Sequence, residues 1–421
     1  MTPRQVTPRQ SAESIGDTVE LDVTNIAHGG IGVARLDGRV VFVTDAIPGE
    51  RVLARLAETR KKSFWRADTV RVLDASPHRR PHVWAAASVD RDPADRAGGA
   101  EFGHIELAHQ RELKRQVLVD ALQRFAGIER GVAVEPVEGE TTDGSGWRTR
   151  VRLHVDESGR LGPFAARSHR VIPVDSLPLA TAELEAGAPL GESFAGEQLV
   201  DVIAPSTGGV RLVIGEQKPS TIVEVVGERE FELSDTGFWQ VHRGAAAALT
   251  GAVQQAVEAE RFDPDAANLD LYGGVGLLAA AVGDRFGPRT RITSVESDPR
   301  ATDHAGTNLA DWLGASVETA RVERWIAERA RDASASERAR FARATIVLDP
   351  PRAGAGRDVV AAIASLAPAQ VVYVACDPVA LARDLGTFAK RGYELRALRA
   401  FDLFPNTHHV EAVATLAPSP G

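Results

Sequence analysis

The 421-residue chain carries 49 lysines and arginines against 58 acids, a formal net charge of -9, and its apolar fraction of 43% is that of an ordinary globular protein. No apolar run approaches the roughly 18 residues of a membrane span, no apolar leader follows Met1-Thr2-Pro3-Arg4, and a single cysteine, Cys376, excludes an intrachain disulfide and a cysteine-rich metal cluster. A cytoplasmic chain of two or three domains, with no membrane partner and no secretory signal, is the expectation, and the acidic balance argues against nucleic acid unless the cations cluster locally.

Residues 1–14 are polar and without periodicity, which predicts a disordered lead. Residues 15–74 then read as five short strands. Val19, Leu21 and Val23 alternate with polar residues, Gly29-Gly30 punctuates, Asp37-Gly38 marks a hairpin turn, and Pro48-Gly49 precedes further strands over 51–56 and 67–73. Five strands in so short a span predict a small barrel of the OB type. Arg51, Arg55, Arg60, Lys61, Lys62 and Arg66 surround Phe64 and Trp65, against the single acid Glu58. This cluster reads equally well as a phosphate-binding and base-stacking surface or as solvated strand faces over core aromatics.

Residues 75–235 read as a central, mostly β domain with one helix near 107–125. A second basic cluster there, Arg148, Arg150, Arg152, Arg160, Arg167 and Arg170, surrounds Trp147. From 236 to 421 an alanine-rich helix over 244–260 leads into alternating strands and helices, the pattern of an α/β Rossmann-like domain with a largely parallel sheet.

Within that last domain, Asn268 to Leu278 reads as strand, glycine-rich turn and helix, and the next strand, over 291–295, runs into Glu296. An acid at that strand end can accept hydrogen bonds from both ribose hydroxyls, so the pair points to a nucleoside cofactor; at this stage a dinucleotide oxidoreductase remains open. A strand over 345–348 ends in Asp349-Pro350-Pro351-Arg352, and one over 371–374 runs into Ala375-Cys376-Asp377-Pro378. All these clusters fall on the carboxyl rim of the sheet and define one crevice. An aromatic after Pro351 would suggest methylation of an exocyclic amine; Arg352 stands there instead.

Cys376 precedes a helix predicted to be capped by Asp377 and to start at Pro378. A helix start favours thiolate, so Cys376 is expected to react near neutral pH, tempered by the negative charge of Asp377; the competing reading is an inert buried thiol. Thiolate attack on carbon 6 of a uracil gives carbon 5 the carbanion character it needs to accept a methyl group, after which a base must remove the carbon 5 proton. The segment Phe404-Pro405-Asn406-Thr407-His408-His409-Val410-Glu411 offers both a carboxylate and imidazoles.

In order and combination, these motifs, with Phe238-Trp239-Gln240-Val241 and Ala382-Arg383-Asp384-Leu385, resemble those of RNA uracil-C5 methyltransferases, and the five-stranded N-terminus resembles their RNA-binding TRAM domain. The resemblance implies a class I fold using S-adenosyl-L-methionine and acting on rRNA or tRNA as a monomer. It makes Cys376 the nucleophile and Glu411 the general base. Gln240, Tyr272, Glu296 and Asp349 would border the cofactor, with Gln240 and Asp349 also facing the uracil. His408 and His409 are expected to shape the loop and not to bind metal, because consecutive histidines diverge and no third ligand is spaced for zinc.

The chain departs from that pattern in two places. Many relatives hold an iron–sulfur cluster on four cysteines; here Ala97-Gly98-Gly99-Ala100 and Leu177 occupy positions where cysteines would stand, so no iron–sulfur cluster is expected. Gly273 stands where the loop usually carries cysteine, a change expected to be neutral. Two other readings are weaker. An RNA-binding protein with a catalytically silent methyltransferase scaffold should have lost Cys376, Asp349 or Glu411, and a cytosine-C5 enzyme would place its motifs differently.

Overall fold

The computed structural model describes residues 14–420, so the expected lead over 1–14 lies outside the described residues apart from Ser14. Strands β1 (Thr18–Ala27), β2 (Ile31–Leu36), β3 (Arg39–Thr44), β4 (Arg51–Glu58) and β5 (Phe64–Asp74) close into a barrel in the order β1-β2-β3-β5-β4, with β4 returning to β1. The two-residue period predicts this closure: Leu21, Val23, Val41, Val43, Val52, Ala54 and Leu56 all turn into one buried cluster. Asp37 and Gly38, at φ 47° and 81°, form the tight turn between β2 and β3. Much of the first basic cluster is neutralised on the barrel surface. Arg51 pairs with Glu20, Arg55 with Asp92, and both Lys61 and Arg66 with Glu58, while Trp65 lies under Arg39.

Helix α1 (Leu107–Ala121) and the two-residue strand β6 (Val134–Glu135) follow, then β7 (Arg150–Val155), β8 (Leu161–Gly162), α2 (Ala182–Gly187), β9 (Leu199–Ile203) and β10 (Arg211–Ile214). The last four strands form a sheet in the order β10-β9-β7-β8, beside a hairpin of β11 (Thr221–Val226) and β12 (Arg229–Ser234). Trp147 is buried here, stacked on His242, and is not available to an RNA base. Of the six arginines around it, five pair with carboxylates: Arg150 with Glu224, Arg152 with Asp201, Arg160 with Asp156, Arg167 with Asp68 and Arg170 with Asp95. Ala97, Ala100 and Leu177 sit together in an apolar cluster with Trp84 and Trp147.

The remaining elements are α3 (Ala245–Ala256), β13 (Asn268–Leu271), α4 (Leu277–Phe286), β14 (Ile292–Glu296), α5 (Pro299–Asn308), β15 (Ala315–Thr319), α6 (Val322–Asp332), α7 (Ala335–Phe341), β16 (Thr345–Leu348), α8 (Gly356–Ser365), β17 (Gln370–Ala375), α9 (Pro378–Ala389), β18 (Tyr393–Phe401) and β19 (Glu411–Pro418). Their sheet runs β15-β14-β13-β16-β17-β19-β18-β6, parallel from β15 to β17, with β19 antiparallel to both its neighbours. Its central strands are apolar runs because both faces are covered. Ile346, Leu348, Val371 and Tyr373 enter one core, and Val347, Val372 and Val374 enter the other.

The central span 75–235 is not one packing unit. Leu118, Ala121 and Val134 join the core of the large sheet beside Leu385 and Phe388, and β6 pairs with β18. Periodicity alone gives a helix a buried face but not its partner. The same span holds a second helix, α2, too short to show a period and marked only by its Thr181 cap.

Candidate active site

The carboxyl ends of β13, β14, β16 and β17 open on one cavity of about 1020 Å³, and Gln240, Tyr272, Glu296, Asp349, Cys376 and Glu411 all line it. Each of the six residues singled out in the sequence therefore stands at the same crevice. At its β13 end the chain turns through Tyr272 at φ 61°, a conformation rare for a side-chain-bearing residue, then Gly274 at 54° and Gly276 at 90° before α4. The Tyr272 hydroxyl donates to Glu323 Oε1 at 3.1 Å, and burial followed by the Glu323 charge pushes that phenol upward. Glu296 ties the loops together: its Oε2 accepts from the Gly274 N–H at 3.2 Å and its Oε1 from the Asp298 N–H at 2.9 Å.

Gly273 has no room for a side chain in this chain. An ideal Cβ there would lie 2.0 Å from Ser294 Oγ and 2.9 Å from Asp270 Oδ2, so the space a side chain needs is already filled. Asp270 lies beneath the loop, where its Oδ2 accepts from the Ala279 N–H at 3.1 Å; burial pushes its carboxyl up to about 7.

At the β16 and β17 end the electrostatics differ from expectation. Burial pushes the Cys376 thiol up to about 12, and the Glu411 and Asp349 carboxylates push in the same direction while Arg352 opposes them. The helix start does not compensate, because Asp377 Oδ1 already accepts from the Val379 and Ala380 N–H groups at 3.0 and 2.8 Å. Burial likewise raises Asp349 to about 7 and holds Glu411 well above the carboxylate range, with Asp349 adding to the shift on Glu411. Both carboxyl groups are thereby held toward their protonated forms near neutral pH.

Residues not singled out in the sequence complete the wall. Arg148 of the second basic cluster has no carboxylate within salt-bridge distance among the described residues, and it lines the cavity with Phe238, Glu101 and Arg352. Phe238 is 73% exposed, an aromatic face left open at the rim. Six carboxyl groups and four guanidiniums line the cavity, so a cationic ligand would find carboxyl partners on its walls.

The two histidines do not diverge: the His408 and His409 ring centroids are 4.0 Å apart, because the loop folds both towards Glu101. Glu101 also brings a third metal-ligating atom within 4.8 Å of theirs. Each group is already engaged, however. The Glu101 carboxylate accepts from His408 Nδ1 and from the His408 backbone N–H, and His409 Nε2 lies 3.3 Å from Arg352 Nη2. Arg352 and Lys114 add positive charge beside His409, so the cluster reads as a hydrogen-bonded network and not as a metal centre. Nothing in the spacing of Glu101 from His408, 307 residues away, announces their meeting.

Comparison with known proteins places this geometry in context. A family model described as tRNA (uracil-5-)-methyltransferase matches residues 201–418, and a TRAM domain model matches residues 13–64. An RNA methyltransferase of Streptomyces avermitilis is 37% identical, covering 96% of this chain and 99% of the relative, and one of Corynebacterium efficiens is 34% identical, covering 94% of each. Among solved structures, the Pyrococcus abyssi tRNA (uracil-54, C5)-methyltransferase in complex with S-adenosyl-L-homocysteine shares the fold, with a TM-score of 0.68 at 20% identity over 95% of this chain and 100% of that one.

Proposed function

Because the chain belongs to the tRNA (uracil-5-)-methyltransferase family, we propose that it methylates carbon 5 of a uracil in RNA, with Cys376 as nucleophile and Glu411 as base. The observation that carries this reading is that one cavity is bordered together by Cys376, Asp349 and Glu411 at one end and by Tyr272 and Glu296 at the other. The carboxyl groups of the cavity wall and the side-chain-free turn at Gly274 and Gly276 fit S-adenosyl-L-methionine, with Gln240, Tyr272, Glu296 and Asp349 as the residues that would hold it. Bound there, it supplies a methyl group activated by an adjacent sulfonium charge.

The chain's own residues carry the rest. Cys376 Sγ bonds to carbon 6 of the uracil, the 5,6 double bond opens, and the charge passes to carbon 5 and the carbon 4 oxygen. Carbon 5 then takes the methyl group. Glu411, ionised for this step, accepts the carbon 5 proton, the 5,6 bond re-forms, and the bond to Sγ breaks with the electron pair returning to sulfur. Asp349 and Gln240 are assigned to the uracil edge and the cofactor. A positive ligand between the carboxylates favours their ionised forms, which readies Glu411 only when the cavity is filled.

The substrate is transfer or ribosomal RNA. Mass spectrometry of 5-methyluridine in both pools, from cells with and without the gene, tests the reading and names the pool. Loss of 5-methyluridine from one pool supports the proposal, and unchanged levels in both contradict it.

A further inference from the structure

We propose that His408, held by Glu101, is the group that takes the proton from the Cys376 thiol. This rests on the reading of Cys376 as the nucleophile, which leaves one proton unaccounted for: Glu411 is needed at carbon 5, so another acceptor must generate the thiolate.

Cys376 borders two cavities. Beyond the large one, a second of about 130 Å³ lies at the junction of the barrel with α9, and Cys376 and His408 both line it. Such a volume has room for water, and the proposed transfer runs across it. The three imidazoles at this wall are not equivalent, and His28 is already engaged by Asp377. His409 Nε2 faces the Arg352 guanidinium at 3.3 Å, and burial with the surrounding cations lowers that ring to about 3, which makes it a poor base. His408 has the opposite arrangement. Its Nδ1 is bonded to the Glu101 carboxylate, so in the neutral ring a proton held on Nδ1 leaves Nε2 to accept.

Glu101 is built for this orienting role. Burial opposes its charge, yet the hydrogen bond from His408 prevails and holds it down to about 2. It also accepts the His408 backbone N–H at 3.1 Å. From the other side the barrel turn packs close against the base of this side chain, since a Cβ on Gly30 would fall 2.5 Å from His408 Cβ. The charged and titratable groups around His408 are Glu101, its neighbour His409, Arg352 after β16, Cys376 and Asp377 at the start of α9, His28 of the barrel and Lys114 of α1. Lys114 is neutralised by Asp402 and His28 faces Asp377, so Glu101 is the carboxylate bonded directly to the ring.

The step balances. The S–H bond breaks, its electron pair stays on sulfur, and the proton forms a new N–H bond at Nε2, giving a thiolate and an imidazolium paired with Glu101. When the product leaves, sulfur departs as thiolate and recovers that proton, while the carbon 5 proton leaves the protein from Glu411. His408 is thus a catalytic residue and Glu101 a positioning residue.

Because Cys376 is the chain's single cysteine, iodoacetamide alkylation reports its thiolate without background. The expected result is that His408→Gln slows alkylation near neutral pH by about tenfold or more, converging with the unaltered protein in strong alkali, and that Glu101→Gln gives an intermediate, shifted profile. Superimposed pH profiles for His408→Gln and the unaltered protein, at equal melting temperature, would overturn the proposal; where His408→Gln does not fold, the Glu101→Gln profile decides by the same criterion. The nucleophile reading is tested separately by methylation with Cys376→Ser. Retained turnover there, alongside a shifted alkylation profile, removes the covalent reading while leaving the thiol–imidazole coupling.

Discussion

His28, on the turn after β1 of the barrel, meets Asp377, the residue that follows Cys376, through a 2.7 Å contact between Nε2 and Oδ2. Asp377 uses its other oxygen to cap α9, so one carboxylate joins the barrel, the nucleophile loop and the helix that supports it. The contact raises His28 above its usual range, with its hydrogen bond to Asp377 outweighing burial and Arg383. A raised imidazole contributes fully below its unfolded value near 6.5 and loses that contribution as pH rises through its folded value. His28→Ala should therefore lower kcat/KM on RNA several-fold at pH 6, with a smaller deficit at about pH 9. Half of the His28 side chain is exposed, so the accompanying loss of stability should stay below about 1 kcal/mol. A deficit that does not change with pH would detach the effect from this ion pair.

Gly273→Ala tests the crowding beneath the cofactor loop. With Ser294 Oγ 2.0 Å from the new methyl position, overpacking should cost about 1–3 kcal/mol and weaken adenosylmethionine binding. Ser294→Ala on that background should restore part of the loss, as a thermal-melt double-mutant cycle would reveal through a coupling term. Strict additivity would mean that the two side chains do not compete for the space.

Asp349 sets a pH dependence for cofactor binding. With its carboxyl held up to about 7, the free protein carries it protonated in mild acid, and a cationic ligand favours the ionised form. Binding then releases a proton, and affinity rises with pH up to neutrality and levels off above it, by at most about tenfold per unit. Isothermal titration between about pH 6 and about pH 8 should show this slope, with Asp349→Asn binding more weakly and with a reduced slope.

Lys114 and Asp402 form a fully buried ion pair, and Lys114 Nζ also donates to the Phe404 carbonyl at 3.0 Å, fixing the segment that leads to Glu411. Lys114→Met leaves Asp402 buried and without that partner, so urea unfolding should show a loss of about 3–5 kcal/mol. Replacing both partners by apolar residues should cost much less.

The sheet and its rim motifs were legible because each is local. A strand, a glycine turn and a helix follow one another between Asn268 and Phe286, and Asp377 caps α9 next to Cys376 as its type and position predict. What depended on distant chain was not. The reactivity read from that helix start was opposed first by burial and then by Glu411 and Asp349, carboxylates brought in from other strands. Trp147 looked like a stacking platform because sequence gives its cationic neighbours but not the His242 ring that covers it. Glu101 directly follows a run noted only for its missing cysteines, and its role emerges where the loop before β19 folds back upon it. α1 showed its apolar period plainly, yet the period could not say that its buried face belongs to the large sheet.

The central claim is tested most directly by incubating RNA from cells lacking the gene with the protein and methyl-labelled adenosylmethionine, then digesting the RNA to nucleosides for mass spectrometry. The account predicts label in 5-methyluridine with the unaltered protein, none with Cys376→Ser, and a covalent protein–RNA adduct accumulating with Glu411→Gln. Label on any other nucleoside, or turnover retained by Cys376→Ser, would contradict it.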